Sequence, residues 1–272
     1  MIENMGNEQS AEQLYLELLK KAILFEIWIE HERNFPSSDN YVFNPVPEKR
    51  ETGSDWPPIA HSMIGRERMN HLHQCLESVI RENVPGDFIE TGVWRGGSCI
   101  FMRGFLKAHR ITDRTVWVAD SFEGLPLPDP NYPVDQGGVW HMYDFLRVSL
   151  ETVIDNFKRY SLLDDQVSFL KGWFKDTLPK APIQKIALAR LDGDMYSSTW
   201  DSLSNLYDKI SLGGYIIIDD YILPCCASAV HDFRNQFGID DAIIKIGKEP
   251  CSAAYWRKTK ERSKAVLKPH TV

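Results

Sequence analysis

The chain has 272 residues, 43% of them hydrophobic, and a formal net charge of −7, which together suit one large α/β domain with additions. The negative charge argues against nucleic acid as the main partner, because phosphate binding requires concentrated lysine and arginine. Five scattered cysteines disfavour a zinc site or a disulfide framework. No apolar stretch nears the roughly 20 residues that cross a bilayer. Together these two features predict a cytoplasmic protein without a membrane partner.

The first 60 residues are predicted to form a helix followed by a loop. Residues 11–33 carry Leu14, Leu18 and Ile23 at helical spacing, which predicts an amphipathic helix. Residues 34–60 are rich in Asn, Pro and Ser and lack periodicity, which predicts a long loop. We expect residues 1–60 to be a lid and oligomerisation segment, because the long apolar helix indicates a homo-oligomer.

A helix near residues 65–82 leads to the first strand, which is followed by a glycine-rich turn. The strand ends at Glu90, the turn reads Glu-x-Gly-x-x-x-Gly, and an apolar helix opens near Ser98. A second strand, residues 115–119, ends in Asp120, where an acid accepts the ribose hydroxyls of an adenosyl group. This much fits NAD as well as S-adenosylmethionine. Glu90 favours the latter, because it stands where the pyrophosphate of a dinucleotide would lie.

The segment after Asp120 is predicted to be a lid. Four prolines within about ten residues forbid regular structure there. The segment runs to a helix at residues 146–160, and it carries Tyr132, Trp140 and His141. Loops of this length beside a binding edge are often functional, so His141 is a candidate acceptor-site residue. The alternative is a surface insertion without a role.

Two pairs of acidic residues follow buried strands later in the chain. Residues 185–191 precede Asp192-Gly193-Asp194, and residues 215–218 precede Asp219-Asp220. In an open parallel sheet, ligands gather at the carboxyl ends of the strands. Four carboxylates there would repel one another unless a hard cation sits among them, and oxygen-only ligation indicates Mg²⁺. The alternative is that each pair caps the helix that follows it.

The remaining patterns complete a single domain. A strand is expected at residues 166–170 and a helix at residues 198–210, which Gly213-Gly214 would stop. A helix near residues 227–237 precedes closing strands near 242–246 and 254–257. A basic run from Arg257 to Lys268 is expected to be a solvated terminus. The predicted domains are therefore residues 61–258 for the catalytic unit and 259–272 for a basic tail.

Several motifs in this order resemble the macrocin-type sugar O-methyltransferases, a family that includes enzymes acting on macrolide and aminocoumarin antibiotics. The resemblance covers roughly residues 56–256. It implies a class I methyltransferase fold, with a Rossmann-like, mostly parallel seven-stranded sheet, helices on both faces, an N-terminal helical extension and lid loops. It also implies S-adenosylmethionine as methyl donor, Mg²⁺ as helper and a hydroxyl of a deoxysugar on a natural product as acceptor. The motifs that carry it are residues 90–97, 118–122, 172–174, 191–196 and 218–221.

The resemblance also implies roles for individual residues. Asp194 would be the general base, His141 would lie near the acceptor, and Asp120 would hold the ribose. The implied metal ligands are Asp192, Asp219 and Asp220. The implied cofactor-binding set is Met63, Ile64, Glu90, Thr91, Gly92, Ser98, Asp120, Ser121, Phe122, Gly172, Trp173 and Asp192.

Other functions remain open from the sequence. A metal-dependent catechol or phenol methyltransferase would use the same donor and metal with a flat aromatic acceptor. The turn with which NAD-dependent oxidoreductases bind phosphate is absent from this sequence. The lid contains few of the lysines and arginines with which a Mg²⁺-dependent phosphohydrolase would bind phosphate. A non-catalytic role is the last alternative, since folds do not fix functions.

Overall fold

A computed structural model describes residues 9–33, 35–36, 42–43, 45–247 and 253–263. Its centre is one seven-stranded sheet, and a short antiparallel pair, β1 (Phe35–Pro36) and β2 (Val42–Phe43), lies apart from it. The strands of the large sheet are β3 (Asp87–Thr91), β4 (Val116–Asp120), β5 (Val167–Lys171), β6 (Ile186–Leu191), β7 (Ile210–Ile218), β8 (Ile244–Ile246) and β9 (Ala253–Arg257).

The strand order is β5-β4-β3-β6-β7-β9-β8, which confirms the predicted fold class. Strands β3 to β7 pair in parallel, whereas β9 runs antiparallel to both β7 and β8. The chain moves outward from β3 through β4 to β5 and then returns to place β6 on the other side of β3. That reversal creates a crevice at the carboxyl ends of β3 and β6, where ligands bind in open α/β sheets.

Helices cover both faces of the sheet. Successive strand residues point to opposite faces, and the strands carry apolar residues on both. Phe88 and Leu188 belong to the apolar core that α1, α3, α4 and α5 cover, and their neighbours Ile89 and Ala189 belong to the core beneath α7 and α8. The helices are α1 (Ala11–Ile23), α2 (Pro47–Thr52), α3 (Gly65–Arg81), α4 (Gly97–Ala108), α5 (Leu150–Arg159), α6 (Phe174–Thr177), α7 (Tyr196–Leu206) and α8 (Pro224–Phe237).

The N-terminal helix is shorter than predicted. It begins at a capping box in which the Ser10 hydroxyl accepts the Gln13 N–H, and it ends at Ile23 rather than near residue 33. Phe25 has φ 56°, a left-handed conformation that does not continue a helix. The inward face of α1 joins the main core, while Leu14 and Leu18 stay exposed. The predicted homo-oligomer therefore stays a prediction.

The predicted loop over residues 34–60 contains a helix, α2, that periodicity did not indicate. Its Arg50 is 1% exposed and pairs with Glu32 and, at 2.9 Å from Nε, with Asp55. The Arg50 guanidinium also donates to the Leu24 carbonyl at 2.5 Å. A buried ion network between distant residues stabilises this helix, so the prediction of an irregular loop was wrong there.

Gly213 and Gly214 lie inside β7, so the prediction that they stop a helix was wrong. Helix α7 ends at Leu206, and the strand begins at Ile210. The pairing of β7 with β6 shifts register in this stretch, and Gly213 has φ +84°. The two glycines therefore form an irregularity in the strand, where a side chain would be strained or crowded.

Within the described part of the C-terminal basic run, Lys258 and Arg262 pack on the domain, whereas Thr259, Lys260, Glu261 and Ser263 are exposed as predicted for a solvated terminus. Lys258 is 0% exposed, and its ammonium donates to the Ile210 carbonyl at 2.9 Å. Arg262 forms a two-bond ion pair with Asp208. Residues 264–272 of the predicted tail lie outside the described ranges.

None of the helices in the described ranges is long and apolar enough to cross a bilayer.

Candidate active site

A cleft of about 810 Å³ lies at the carboxyl ends of the strands. The loops after β3, β4, β6 and β7 form its floor, and the segment between β4 and α5 forms one wall. Many of the residues singled out from the sequence line this cleft, although they are far apart in the chain. They are Met63, Gly92, Asp120, Ser121, His141, Trp173, Asp192, Asp194, Asp219 and Asp220.

The other predicted site residues do not line the cleft. Glu90 is 1% exposed, and its carboxylate is held by Arg190 and by the Cys99 thiol, whose Sγ lies 3.0 Å away. Ile64 packs in the apolar core. Their assignment as cofactor contacts stays a prediction, as it does for the rest of this group: Thr91, Ser98, Phe122 and Gly172.

Gly92 brings the loop after β3 against the loop after β6. Its φ is +84°, and a Cβ added there would lie 1.6 Å from the Asp192 carbonyl oxygen. Only glycine fits such an approach of two backbones. The strand ends are locked together in the same place, because the Asp192 N–H donates to the Thr91 carbonyl at 2.8 Å. The turn therefore sets Asp192 directly beside the glycine-rich loop.

Asp120 organises the loops on the other side of that turn. One carboxylate oxygen accepts the Val93 N–H at 2.7 Å, and the other accepts the Phe122 N–H at 2.7 Å. Burial raises the pKa of Asp120, and these hydrogen bonds to the ionised form oppose the rise. The residue lines the cleft, and the Ser121 hydroxyl lies 3.4 Å from the oxygen that accepts the Phe122 N–H. The arrangement suits a carboxylate that binds two neighbouring hydroxyls.

Three carboxylates converge on the cleft floor. Asp192, Asp194 and Asp220 each offer an oxygen within 4.8 Å of the others. The Asp194 N–H donates to Asp220 at 2.9 Å, and Asp194 has a left-handed φ of 56°. Burial, with the charges of Asp192 and Asp219, raises the pKa of Asp194 to about 8. Burial and the neighbouring carboxylates also raise the pKa of Asp220 well above its usual value. Such an oxygen-only, mutually repelling set fits a hard divalent cation.

Asp219 has different partners, which no sequence pattern indicates. Arg68 Nη1 lies 2.5 Å from one of its oxygens, and Arg190 pairs with the other. Burial raises the pKa of Asp219, but the two guanidinium groups outweigh it, and the net pKa is lowered. Of the predicted metal ligands, Asp192 and Asp220 thus lie together with Asp194, whereas Asp219 is bound by two arginines. The sequence gives one indication that Arg190 is unusual, because it is the charged residue in an otherwise apolar strand.

The lid and the N-terminal segment meet in an aromatic cluster at the cleft mouth. The ring of Trp56 stacks on Phe145 with centroids 5.6 Å apart, and it contacts Trp140 and Tyr143. His141 lines the cleft, and its Nδ1 is buried without a hydrogen-bond partner among the described residues. A bound ligand could therefore use that nitrogen. No sequence pattern indicates a role for Trp56, because this contact crosses from one loop to another.

Asp135 fastens the lid to the helix after the acidic motif. It is 4% exposed, and its two oxygens accept the N–H groups of Tyr196 at 2.8 Å and Ser197 at 3.0 Å. These groups belong to the first turn of α7, which has no side-chain cap of its own. The lid residue thus supplies the cap directly after Asp194.

Comparison with known proteins identifies the family. The family model described as Macrocin-O-methyltransferase (TylF) matches residues 12–258. The chain belongs to this family. It is 49% identical to mycinamicin III 3''-O-methyltransferase of Micromonospora griseorubida, over 91% of this chain and 97% of that protein. It is 48% identical to demethyldecarbamoylnovobiocin O-methyltransferase of Streptomyces niveus, over 96% of this chain and 99% of the relative.

A third relative and one solved structure agree with this assignment. The 8-demethyl-8-(2,3-dimethoxy-alpha-L-rhamnosyl)-tetracenomycin-C 4'-O-methyltransferase of Streptomyces olivaceus is 47% identical over 97% of this chain and 99% of its own length. The structure of the O-methyltransferase NovP superposes with a TM-score of 0.84 at 48% identity, covering 92% of this chain and all of that one. The protein is therefore an S-adenosylmethionine-dependent O-methyltransferase. This excludes the oxidoreductase, phosphohydrolase and non-catalytic hypotheses.

Proposed function

We propose that this methyltransferase transfers a methyl group from S-adenosylmethionine to a hydroxyl of a deoxysugar on a glycosylated natural product, with Mg²⁺ as the helper ion. The observation that carries the proposal is the contact between the Gly92 turn and Asp192, which puts the donor-side loop next to the acidic cluster in one cleft. The three relatives support it by name, since one name specifies a rhamnosyl group and all three specify methylation of oxygen on antibiotics or their precursors.

The size and rim of the cleft favour a bulky glycoside over a simple catechol. The cavity of about 810 Å³ would hold the methyl donor as well as the acceptor, since Asp120 and Trp173 line it together with the acidic cluster. Its lining includes exposed apolar side chains that a small acceptor would not reach, such as Leu127, 72% exposed, and Ile222, 44% exposed. An apolar aglycone would cover these side chains while the sugar enters among the polar groups below.

The acidic residues fit a divalent ion. We assign Asp192 and Asp220 as ligands, with Asp219 as the third ligand implied by the family motifs. An ion bound at Asp219 would share the carboxylate with the guanidinium groups of Arg68 and Arg190. When bound, a divalent ion would act as a Lewis acid that stabilises negative charge on the acceptor oxygen.

The chain's own groups supply the rest of the mechanism. Asp194 would accept the proton of the acceptor hydroxyl, because its carboxylate lies beside Asp192 and Asp220 on the cleft floor. Asp120 would hold the ribose, and His141 would orient the acceptor through its free Nδ1. The aromatic cluster around Trp56 would exclude water. Alignment of donor and acceptor can lower the barrier by up to about 7–11 kcal/mol in well-oriented systems.

The test is an acceptor screen with purified full-length protein and S-adenosylmethionine. The panel contains deoxysugar glycosides with macrolide, aminocoumarin and tetracyclic aglycones, their sugar-free aglycones, and simple catechols. Each acceptor is assayed with Mg²⁺ and with a chelator, and methylated products are located by mass spectrometry. We expect methylation of the sugar in at least one glycoside, abolished by chelation. Turnover of catechols alone would support the alternative acceptor class, and turnover that survives chelation would remove the ion from the proposal.

A further inference from the structure

Arg190 occupies an unusual place beneath the acidic cluster. It lies in β6, all of whose residues are buried, and its own side chain is 2% exposed. In the sheet its Cα pairs with Glu90 of β3 on one side and with Ile217 of β7 on the other. The guanidinium contacts three carboxylates: Glu90, Asp192 and Asp219. One side chain therefore joins residues of three adjacent strands or their ends.

Stability alone does not account for a buried charge at this point. Removing an arginine and carboxylates from water costs several kcal/mol per ion, and apolar replacements of buried ion pairs are often as stable. Arg103 shows what a simpler ion pair looks like in this protein, since among the described residues it pairs with one carboxylate, Asp164, at 2.8 and 2.6 Å, outside the cleft. Arg190 differs because each of its partners is either predicted to face the donor or predicted to bind the ion.

We propose that Arg190 is a positioning residue, which holds Asp192 and Asp219 in the arrangement that binds the divalent ion and holds Glu90 in the arrangement that receives the donor. The inference rests on the proposed function. Its geometric basis is the planar guanidinium, whose several N–H groups can reach carboxylates in different directions at once. The Nη1 atom alone contacts both Glu90 and Asp192, the latter at 2.7 Å.

A competing explanation is that Arg190 serves only as a positive charge that reduces repulsion in the cluster. The two explanations predict opposite effects on ion binding. Removing a positive charge beside a cation site strengthens the Coulomb attraction for the cation, so a charge-only role predicts tighter binding in Arg190→Gln. A positioning role predicts weaker binding, because losing a residue that orients metal ligands costs about 10- to 100-fold in affinity.

Two variants keep the charge balance constant. Arg190→Lys keeps the positive charge but offers a single ammonium, which cannot span three strands as the guanidinium does. The double variant Arg190→Gln with Glu90→Gln removes one positive and one negative charge, so the net charge of the cluster stays the same while Asp192 and Asp219 lose their contact with the guanidinium. The matched control is Arg103→Gln, which breaks an ion pair between a buried arginine and an exposed aspartate away from the cleft. Thermal unfolding without ligands checks that each variant folds.

Calorimetry of the full chain measures the affinities for Mg²⁺ and for S-adenosylhomocysteine separately. We expect both Arg190→Lys and the double variant to bind Mg²⁺ about 10- to 100-fold more weakly than the original chain, and Arg103→Gln to match it within about twofold. Mg²⁺ affinity at the original level in Arg190→Lys or in the double variant would overturn the proposal.

Binding of S-adenosylhomocysteine, the cofactor product, distinguishes a failure of the Arg190 proposal from a failure of the proposed function. If the original chain bound no Mg²⁺, the ion in the proposed function would be wrong, and Arg190 would be judged by S-adenosylhomocysteine in metal-free buffer. There the positioning role predicts at least about tenfold weaker binding in Arg190→Lys, because Glu90 loses its orienting partner. Unchanged binding would show that Arg190 does not position the donor site.

Discussion

Asp194 is the residue on which the proposed chemistry depends most. It lies next to Asp192 and Asp220, and its backbone has a φ of 56°. Asparagine adopts that left-handed conformation readily, so Asp194→Asn removes the base without straining the turn. The variant therefore separates proton transfer from folding and from donor binding.

We expect Asp194→Asn to lower kcat by about 10²- to 10⁴-fold, the usual worth of a positioned general base. Its affinity for the methyl donor should stay nearly the same. Steady-state kinetics and calorimetry of donor binding measure the two quantities. Asp208→Asn, on the surface and paired with Arg262, is the control that should keep full turnover. Normal turnover in Asp194→Asn would remove the assignment of the base.

Asp120 is expected to govern donor affinity. Asp120→Ala loses a charge-assisted hydrogen bond to the ribose worth about 1.5–3 kcal/mol, so the dissociation constant should rise about 10- to 150-fold. The same change releases the N–H groups of Val93 and Phe122, which adds to the loss. Calorimetry checks the effect, and Asp113→Ala, an exposed acid before the same strand, is the control. An unchanged affinity would place the adenosyl group elsewhere.

At the scale of elements, the lid and α7 act as one unit through Asp135. The lid between β4 and α5 has little regular structure, so its position depends on such specific contacts. Tyr132 of the lid also packs on Tyr196 of α7, with ring centroids 5.4 Å apart. Both contacts fall immediately after Asp194. Movement of the lid should therefore displace the turn that carries Asp192 and Asp194.

Asp135→Ala should reduce the free energy of unfolding by about 1 kcal/mol, as for other lost helix caps. It should also raise KM for the acceptor, because the lid that carries His141 is no longer fastened. Denaturant unfolding and acceptor kinetics measure the two effects. The matched control is Ser10→Ala, which removes the cap of α1 far from the cleft and should lower stability alone. An unchanged acceptor KM in Asp135→Ala would mean that the fastening has no role in acceptor binding.

At the scale of the whole molecule, three histidines make stability depend on pH. Burial lowers the pKa of His61, His71 and His73 from 6.5 to about 4. Between these values the unfolded chain binds more protons than the folded one, so this contribution to stability is complete above pH 6.5 and is lost as the pH falls towards 4. The raised pKa values of Glu90 and Asp194 act in the opposite direction, so each histidine must be measured by difference.

We expect His71→Phe to remove one such contribution, since His71 packs on Tyr255 with ring centroids 4.3 Å apart. Denaturant unfolding of both chains at several values between pH 7 and pH 4 gives the difference in their unfolding free energies. That difference should change by at most about 1.4 kcal/mol per pH unit, with the original chain losing more stability in acid. His31→Phe, at an exposed histidine, should show almost no such change. A pH-independent difference for His71→Phe would mean that this histidine is not buried in its neutral form.

Local patterns in the sequence determined the parallel strands and the residues at their carboxyl ends. Buried strands are short apolar runs, and the topology of an open sheet brings their ends to one edge, so Asp120, Asp192 and Asp194 could be predicted to share a cleft. The glycine-rich turn was equally readable, because only glycine permits the approach of Gly92 to Asp192. Family membership follows from the same ordered motifs.

Only the tertiary structure decided which charges meet. Glu90 and Arg190 are 100 residues apart in the chain, and Arg68 and Asp219 are 151 apart, so no local period connects them. The same holds for α2, which depends on the buried network of Arg50. Periodicity reports how a segment faces apolar surroundings, whereas a buried ion pair depends on the distance between two segments after folding. That distance is a property of the packed sheet and its loops.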